Sequence, residues 1–512
     1  MEPGAAAWVP CNFKLANWTM EPAAGFPAES ESTEKHGNWI QTCVPNSGGG
    51  QLVEYYAATT QQYPVEKKAQ ESLEVVVHNK EMEIYDIGPS HVFDKVVREF
   101  RKGIDIAEKK MHRYPENIRD LGDWYTVPRT VAIGPYHHDR QQLKKAEQVK
   151  HVAADHCIRD SQCSAQEICD AVLAAAAKVR HLYDKDVMKG IGYDDFWHMM
   201  FFDACFLVQY MIWHGREQQE DPWLDTFFYS NRNGINHDVW LLENQLPWKV
   251  VKTVMDMMKV RQVNLRKFVA RWRDRLHDRQ DLKEKPLIWD DSYKPPHLLG
   301  LLRYYIVGGP EGNQQDKDVD VKELTSLSFS VSAIELAKIG ITLTANKTAE
   351  LADMGLNNGI LDAKLSLAPL SLNYARASRL INMAAFEICF LHSTDPLLYD
   401  IKYSAVCSYL HLLSMLVQRE EDVHELRRQG ILEGGAGLNN KQVLDLFTCF
   451  QSLPEGKCYS DTMVEIERYK MNRKILSKGH TFWYKYNKII FGVGSAIGSV
   501  YPIVKFVQYL VS

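Results

Sequence analysis

Residues 196–215 read FWHMMFFDACFLVQYMIWHG, an almost unbroken apolar run interrupted by His198, Asp203 and Gln209. Coiled as a helix, such a run is apolar on every side, so the rest of the chain must wrap it. Its length approaches that of a membrane span. Asp203 argues against lipid, because a charge near the middle of a span costs about 2.5 kcal/mol or more. The residues three and four away from it are Met199, Met200, Phe206 and Leu207, none of which can pair with a carboxylate. The run is expected as a buried helix over 196–214, closed by Gly215. Asp203 must then meet a partner on another element or stay protonated.

Downstream stands LLENQLPWKVV. Pro247 lacks an amide donor and clashes with the carbonyl four residues back, so one helix should stop before Leu246 and the next begin at Pro247. Glu243, Asn244 and Gln245 are left at a helix end, where they can serve orphan carbonyls or neighbouring elements. The following helix carries an apolar stripe of Leu265, Phe268, Val269, Trp272 and Leu276. Its other face holds Arg261, Arg266, Lys267, Arg271, Arg273 and Arg275. Interleaved with Asp274 and Asp278, that face reads as solvated, with contact to acidic lipid as the sharper alternative.

Other helices announce themselves by their caps. Ser164-Ala-Gln-Glu167, Ser332-Ala-Ile-Glu335 and Thr462-Met-Val-Glu465 all fit the capping box. The first opens a helix with Ile168, Val172, Val179, Leu182 and Tyr183 on one face. The second opens a short helix ended at Gly340. The third starts a long helix toward the C-terminus. Further helices are expected over 143–156, 376–392, 403–428 and 440–452. Residues 125–139 read as extended, since Pro128 and Pro135 disfavour helix before them. Ile341-Thr-Leu-Thr344 is strand-like, with a partner strand over Leu365, Leu367 and Leu370–Leu372.

Residues 1–80 are rich in Gly, Pro, Ala, Ser and Glu without a lasting apolar period, and read as a disordered tail. The polar, Gly-rich stretch near 308–320 reads as a loop and a boundary between two lobes. The net charge of −5 argues against a nucleic-acid surface. The ten cysteines form no CxxC pair; Cys157, Cys163 and Cys169 are spaced by six, which suits no zinc site. They read as thiols in a reducing compartment, and no secretory signal pattern opens the chain. The Asn17 and Asn346 sequons read as chance matches.

The second apolar run, 489–511, has no acid in it. As a helix it would be roughly 34 Å long, enough for a bilayer core. Gly494 and Gly498 form a GxxxG pair suited to helix–helix association in lipid. Arg473, Lys474, Lys478, Lys485 and Lys488 precede it, which places the body in the cytosol and makes the run a tail anchor. A single-pass membrane protein is expected, with the plasma membrane as the first choice.

No phosphate loop, dinucleotide fingerprint, zinc-protease helix or nucleophile elbow is present in the sequence. His137-His138-Asp139 is the densest group of metal-type side chains, but neighbours on an extended segment point apart. No catalytic, cofactor or metal residues are assigned. The rival reading is an enzyme with an unfamiliar site near His137, His138, Asp203 and Glu243.

Several blocks together resemble one plant family. Val127-Pro128, Ile133-Gly-Pro-Tyr-His-His138, Leu143, Glu147 and Lys150 are similar to its opening signature. Phe196 to Leu207 is similar to its second block, and Asp238-Val-Trp-Leu-Leu-Glu-Asn-Gln-Leu-Pro247 to its most distinctive one. Ser332–Leu336 and Asn382–Glu387 match later blocks. The family is the one called domain of unknown function 247, from which the chain departs at Asp139, where glycine is usual. The resemblance implies a mostly helical body with one C-terminal membrane helix, and it supplies no catalytic residues. Some grass members are linked to self-incompatibility, which implies recognition. The expected architecture is mainly α, a multi-helix body over 81–480 with a small β-hairpin or sheet, plus the transmembrane helix. The expected function is that of a membrane-anchored interaction protein with protein partners, without cofactor. His137, His138, Asp203, Glu243, Asn244 and Gln245 are its marked polar residues.

Overall fold

The computed structural model describes Arg98 and residues 109–472, except 216–220, 278–285, 310–331, 360–361, 392–400 and 434–436. From residue 109 on they all belong to one unit. The tail 1–80, most of the lobe boundary and the 489–511 run lie outside the described residues.

The first long helix, α1 (Lys144–Ser161), buries Ala146, Val149, Lys150, Ala153, Ala154 and Cys157, a stripe at helical spacing. Next, α2 (Ala165–Ala177) opens on a complete capping box: Glu167 N donates to Ser164 Oγ, and Ser164 N donates to Glu167 Oε2 at 2.7 Å. The helix is shorter than its apolar face. It stops at Ala177, and Val179, Leu182 and Tyr183 reach the same core from a 3-10 turn.

Helix α3 (Tyr193–Gly215) contains the apolar run 196–215. Both α1 and α2 pack on it, as do α4 (Pro222–Ser230), α6 (Trp248–Met257) and α7 (Leu265–Asp274); α5 (Arg232–Asp238) sits beside α4. Every residue from Asp203 to Ile212 is at most 2% exposed, so this part has no solvent face. The first turns differ from expectation: Asp194, Asp195 and His198 face water. Burying each large side chain of this kind stabilises the fold by about 1.5–3 kcal/mol.

The helix before Pro247 also ends early, at Asp238 rather than beside Gln245. Residues 239–247 run without helix or strand, yet all are buried. On α7, Phe268, Val269 and Trp272 are core residues. The basic face is not uniformly solvated. Arg261 precedes the helix and is buried on Asp160 at 2.6 Å; Arg273 is buried; Arg275 donates to His214 Nε2 at 2.9 Å.

Helix α8 (Leu298–Val307) joins α7 to α10, the Tyr374–Leu391 helix. Between them lie α9 (Ala333–Lys338), with its capping box, and the sheet. The sheet corrects the hairpin: β1 (Ile341–Ala345) pairs in parallel with β3 (Ala363–Leu367), while β2 (Gly355–Asn358) pairs antiparallel on the far side. Parallel strands need a crossover, which 346–362 provides. Leu370 to Leu372 lie beyond β3; Leu370 makes an isolated bridge to Leu432.

The stretch read as one helix over 403–428 is two, α11 (Ile401–Leu416) and α12 (Glu420–Arg428). Asp422 explains the break: its Oδ2 accepts from Gln418 N at 3.3 Å and its Oδ1 from Ile334 N at 3.1 Å. Helix α13 (Asn440–Cys449) follows. Thr462 caps nothing. It lies inside α14 (Lys457–Asn472), where its hydroxyl donates to Cys458 O, and Glu465 instead accepts from Leu356 N in β2. No helix among the described residues is long and apolar enough to cross a membrane.

Candidate functional site

Residues 127–135 run between two prolines without regular structure, and their amides need acceptors. Three acceptor side chains from elsewhere supply them. Asp238, at the end of α5, takes Arg129 N at 2.9 Å, Thr130 N at 2.7 Å and Val131 N at 2.9 Å. Asn244 takes Ile133 N at 2.7 Å and returns its amide to Val131 O and Asp238 O, each at 3.1 Å. Asp203 takes Gly134 N at 2.7 Å. Gly134 sits at φ +78, where a Cβ would come within 2.8 Å of Gln245 O. Only glycine lets the two segments approach so closely.

Asp203 has its partner on another element: Lys150 Nζ, from α1, lies 2.6 Å from Oδ1. The ammonium also bonds Glu147 at 2.6 Å. Burial alone would depress Lys150, but Asp203 and Glu147 outweigh it and hold the amine above the usual lysine range. A lysine kept charged in this way cannot serve as a nucleophile.

Glu243 Oε1 accepts from Tyr114 N at 2.9 Å and from Arg119 Nη2 at 3.2 Å. Gln245 donates to Val239 O and Leu241 O, each at 2.9 Å, and accepts from Leu299 N at 3.0 Å. Asn382 on α10 closes the set, accepting from Leu242 N at 2.9 Å and Tyr114 Oη at 2.6 Å. The buried loop 239–247 is thus tied to the extended segment, to α8 and to α10.

The two histidines part. His137 is buried; Arg140 Nε donates to its Nδ1 at 3.1 Å, which puts the proton on Nε2, 3.9 Å from Glu243 Oε2. Burial, then Arg140 and Arg113, lower its pKa to about 4, so it is neutral at pH 7. His138 instead bonds Pro135 O at 2.8 Å and Asp139 at 3.0 Å. Among the described residues, no group of three or more His, Cys, Asp or Glu side chains could hold a metal. The described cysteines are free thiols, and Asn346 is buried on Glu350 O and Asp353 O.

A cleft of about 820 Å³ opens nearby, lined by Arg113, Tyr114, Tyr136, Asp184 and Cys389 among others. None of the six marked polar residues lines it. Burial pushes the Cys389 thiol up to about 12, so no thiolate is available there.

Asp238 and Asn382, which sequence spacing does not single out, carry as many bonds as Asp203, Glu243, Asn244 and Gln245. Both lie within the blocks that resemble the family. Nor does spacing single out Glu387, buried on α10. Glu387 accepts from Arg303 Nε at 2.8 Å, Val406 N at 2.9 Å and Cys407 N at 2.7 Å. This repeats the Asp203 arrangement: an acid on an apolar helix, a cation from a second helix, and amides from a third segment.

No curated protein and no solved structure matches the chain. One family does, DUF247, described as a plant protein of unknown function, over residues 111–501. That match includes every polar tie described above, and the chain belongs to this plant family.

Proposed function

We propose that the chain is a membrane-anchored plant protein whose helical body works by binding other proteins, in recognition or signalling, without chemistry of its own. The observation that carries this reading is how the marked side chains are used. Asp203, Glu243, Asn244 and Gln245 bond buried backbone amides and carbonyls, and so hold loops in place instead of meeting in an open cleft. A reaction site would keep an acid or base within reach of a substrate. The anchor rests on the 489–511 run and the lysines and arginines before it.

Two experiments test the reading. Alkaline carbonate extraction of plant membranes is expected to leave the full chain in the pellet; release into the supernatant removes the anchor. Affinity purification of the tagged full chain from crosslinked membranes is expected to return a reproducible set of proteins. Replicates that share no partner overturn the interaction role. Protease protection of sealed vesicles reports the side of the body, expected to be cytosolic.

A further inference from the structure

A groove of ligand size adjoins the buried loop, where the start of α6 meets the segment 289–297. It encloses about 790 Å³, within the range of small-molecule sites. Its wall is aromatic: Trp248, Trp289, Tyr293 and Tyr305 line it, with Pro296 and Leu301 between them.

The wall is built rather than accidental. Tyr293 stacks on Tyr304 at 3.8 Å with 10° between the rings, and Trp289 stacks on Tyr305 at 4.7 Å with 12°. Tyr304 Oη donates to Asp290 at 2.7 Å, and Trp248 N donates to Pro296 O at 2.7 Å. Pro296 packs so tightly on α8 that a Cβ at Gly300 would meet it at 2.8 Å. A wall held this way loses little freedom when a ligand arrives.

The rim is cationic in a chain whose net charge is −5. Lys109, Lys178, Lys249, Lys252 and Lys294 line the groove. Lys252 pairs with Asp256 at 2.7 Å. Lys178, Lys249 and Lys294 have no acidic partner among the described residues. The two acids in the lining already have donors from their own segment, α7 and α8. Asp290 takes Ser292 N, Ser292 Oγ and Tyr304 Oη; Asp291 takes Trp289 Nε1 at 3.0 Å and lies 3.6 Å from Arg266. Five lysines against two aspartates leave the lining with an excess of positive charge.

We propose that this groove binds a small amphipathic anion: a flat ring body carrying one carboxylate or phosphate. The rings and prolines take the apolar body, and Lys249, Lys294 and Lys178 take the charged head. The inference is independent of the membrane anchor and of any protein partner.

The test is isothermal titration of the full-length chain in neutral phosphatidylcholine nanodiscs. The probes are 2-naphthoate and 2-naphthyl phosphate, with 2-methylnaphthalene, acetate and inorganic phosphate as controls. The expected result is saturable one-to-one binding of at least one naphthyl anion, about tenfold or more tighter than any control. The carboxylate and phosphate arms tell which head is preferred. The double variant K249E/K294E is expected to weaken that binding about tenfold at unchanged melting temperature. Tyr293→Ala should weaken it while leaving the lysines in place. The proposal is overturned if neither anion saturates by about 5 mM, if the neutral probe binds equally well, or if K249E/K294E binds as the parent does. It is also overturned if the double variant loses only binding to phosphatidylserine vesicles, which would make the lysines a membrane-facing patch, or only binding to an acidic peptide.

Discussion

The buried loop 239–247 and the lysine groove share a boundary at Pro247 and Trp248, yet they treat charge in opposite ways. In the loop, each carboxylate or amide is spent on the chain itself. Asp238, at the end of α5 just before the loop, accepts three backbone amides and bonds the His237 ring at 2.9 Å. In the groove, which Lys249 lines two residues after Pro247, five lysines outnumber two aspartates, and Lys178, Lys249 and Lys294 have no acidic partner among the described residues. The difference separates residues that build the fold from residues available to a ligand. An ion pair inside costs a great deal to break, because its partner stays buried and unpaired. An exposed lysine costs almost nothing to reverse.

Acid should affect the interior most. Burial lowers His137 to about 4 and both His214 and His297 to about 3, with neighbouring arginines adding to the effect at His137 and His214 and His112 at His297. Above the ordinary histidine pKa both folded and unfolded states are neutral, and stability does not change. Between about pH 6.5 and 4 the unfolded chain binds protons that the folded chain refuses, so stability falls as pH falls. Each group contributes about 1.4 kcal/mol per pH unit, and the three together about 4. Chemical denaturation from pH 7.5 to 4.5 is expected to show a flat region and then a steep loss. A midpoint unchanged down to pH 4.5 would mean that these rings are not buried neutral.

The second effect is that of Asp203→Asn. It leaves the Lys150 ammonium buried with only Glu147, and a loss of about 3–5 kcal/mol is expected. Adding Lys150→Met should recover part of it, because the stranded charge is then gone. Thermal melts of the single and double variants decide. A double variant no better than the single would show that the stranded Lys150 charge is not what the single variant costs. Gly134→Ala should cost less, about 1–3 kcal/mol, since it strains one positive φ and presses on Gln245 O.

Much of this interior was legible in the residues. Asp203 within an all-apolar run could only be a buried acid in need of a partner. Two of the three capping boxes lie where their spacing puts them, because a cap is a local pattern completed within four residues. Thr462 shows the limit of that reading: the same spacing inside a longer helix is filled by a bond to Cys458 O. Partners far along the chain were not legible. Asp203 meets Lys150, Asn382 meets Leu242, and Glu387 meets Arg303, each pairing set by packing of helices and not by any sequence interval. The sheet failed for a related reason. Alternation marked two strands, but Gly355–Asn358 buries one residue in four and offers no apolar alternation to read. The groove left no trace at all, since its lysines come from segments as distant as Lys178 and Lys294.

The smallest expected effect is the sharpest check on the comparison. Lys249 and Lys294 are exposed and unpaired, so K249E/K294E should change unfolding free energy by less than about 0.5 kcal/mol in either direction. Lys249 lies in the first turn of α6, where a negative charge suits the helix dipole, so a slight gain is the expected sign. If the double variant instead melts far below the parent, these lysines belong to the fold as Asp203 does. The division between a spent interior and an available groove would then fail at the boundary residues Pro247 and Trp248. An unchanged melt, measured in the same denaturation series as Asp203→Asn, would leave the lysine cations free for the ligand that their arrangement suits.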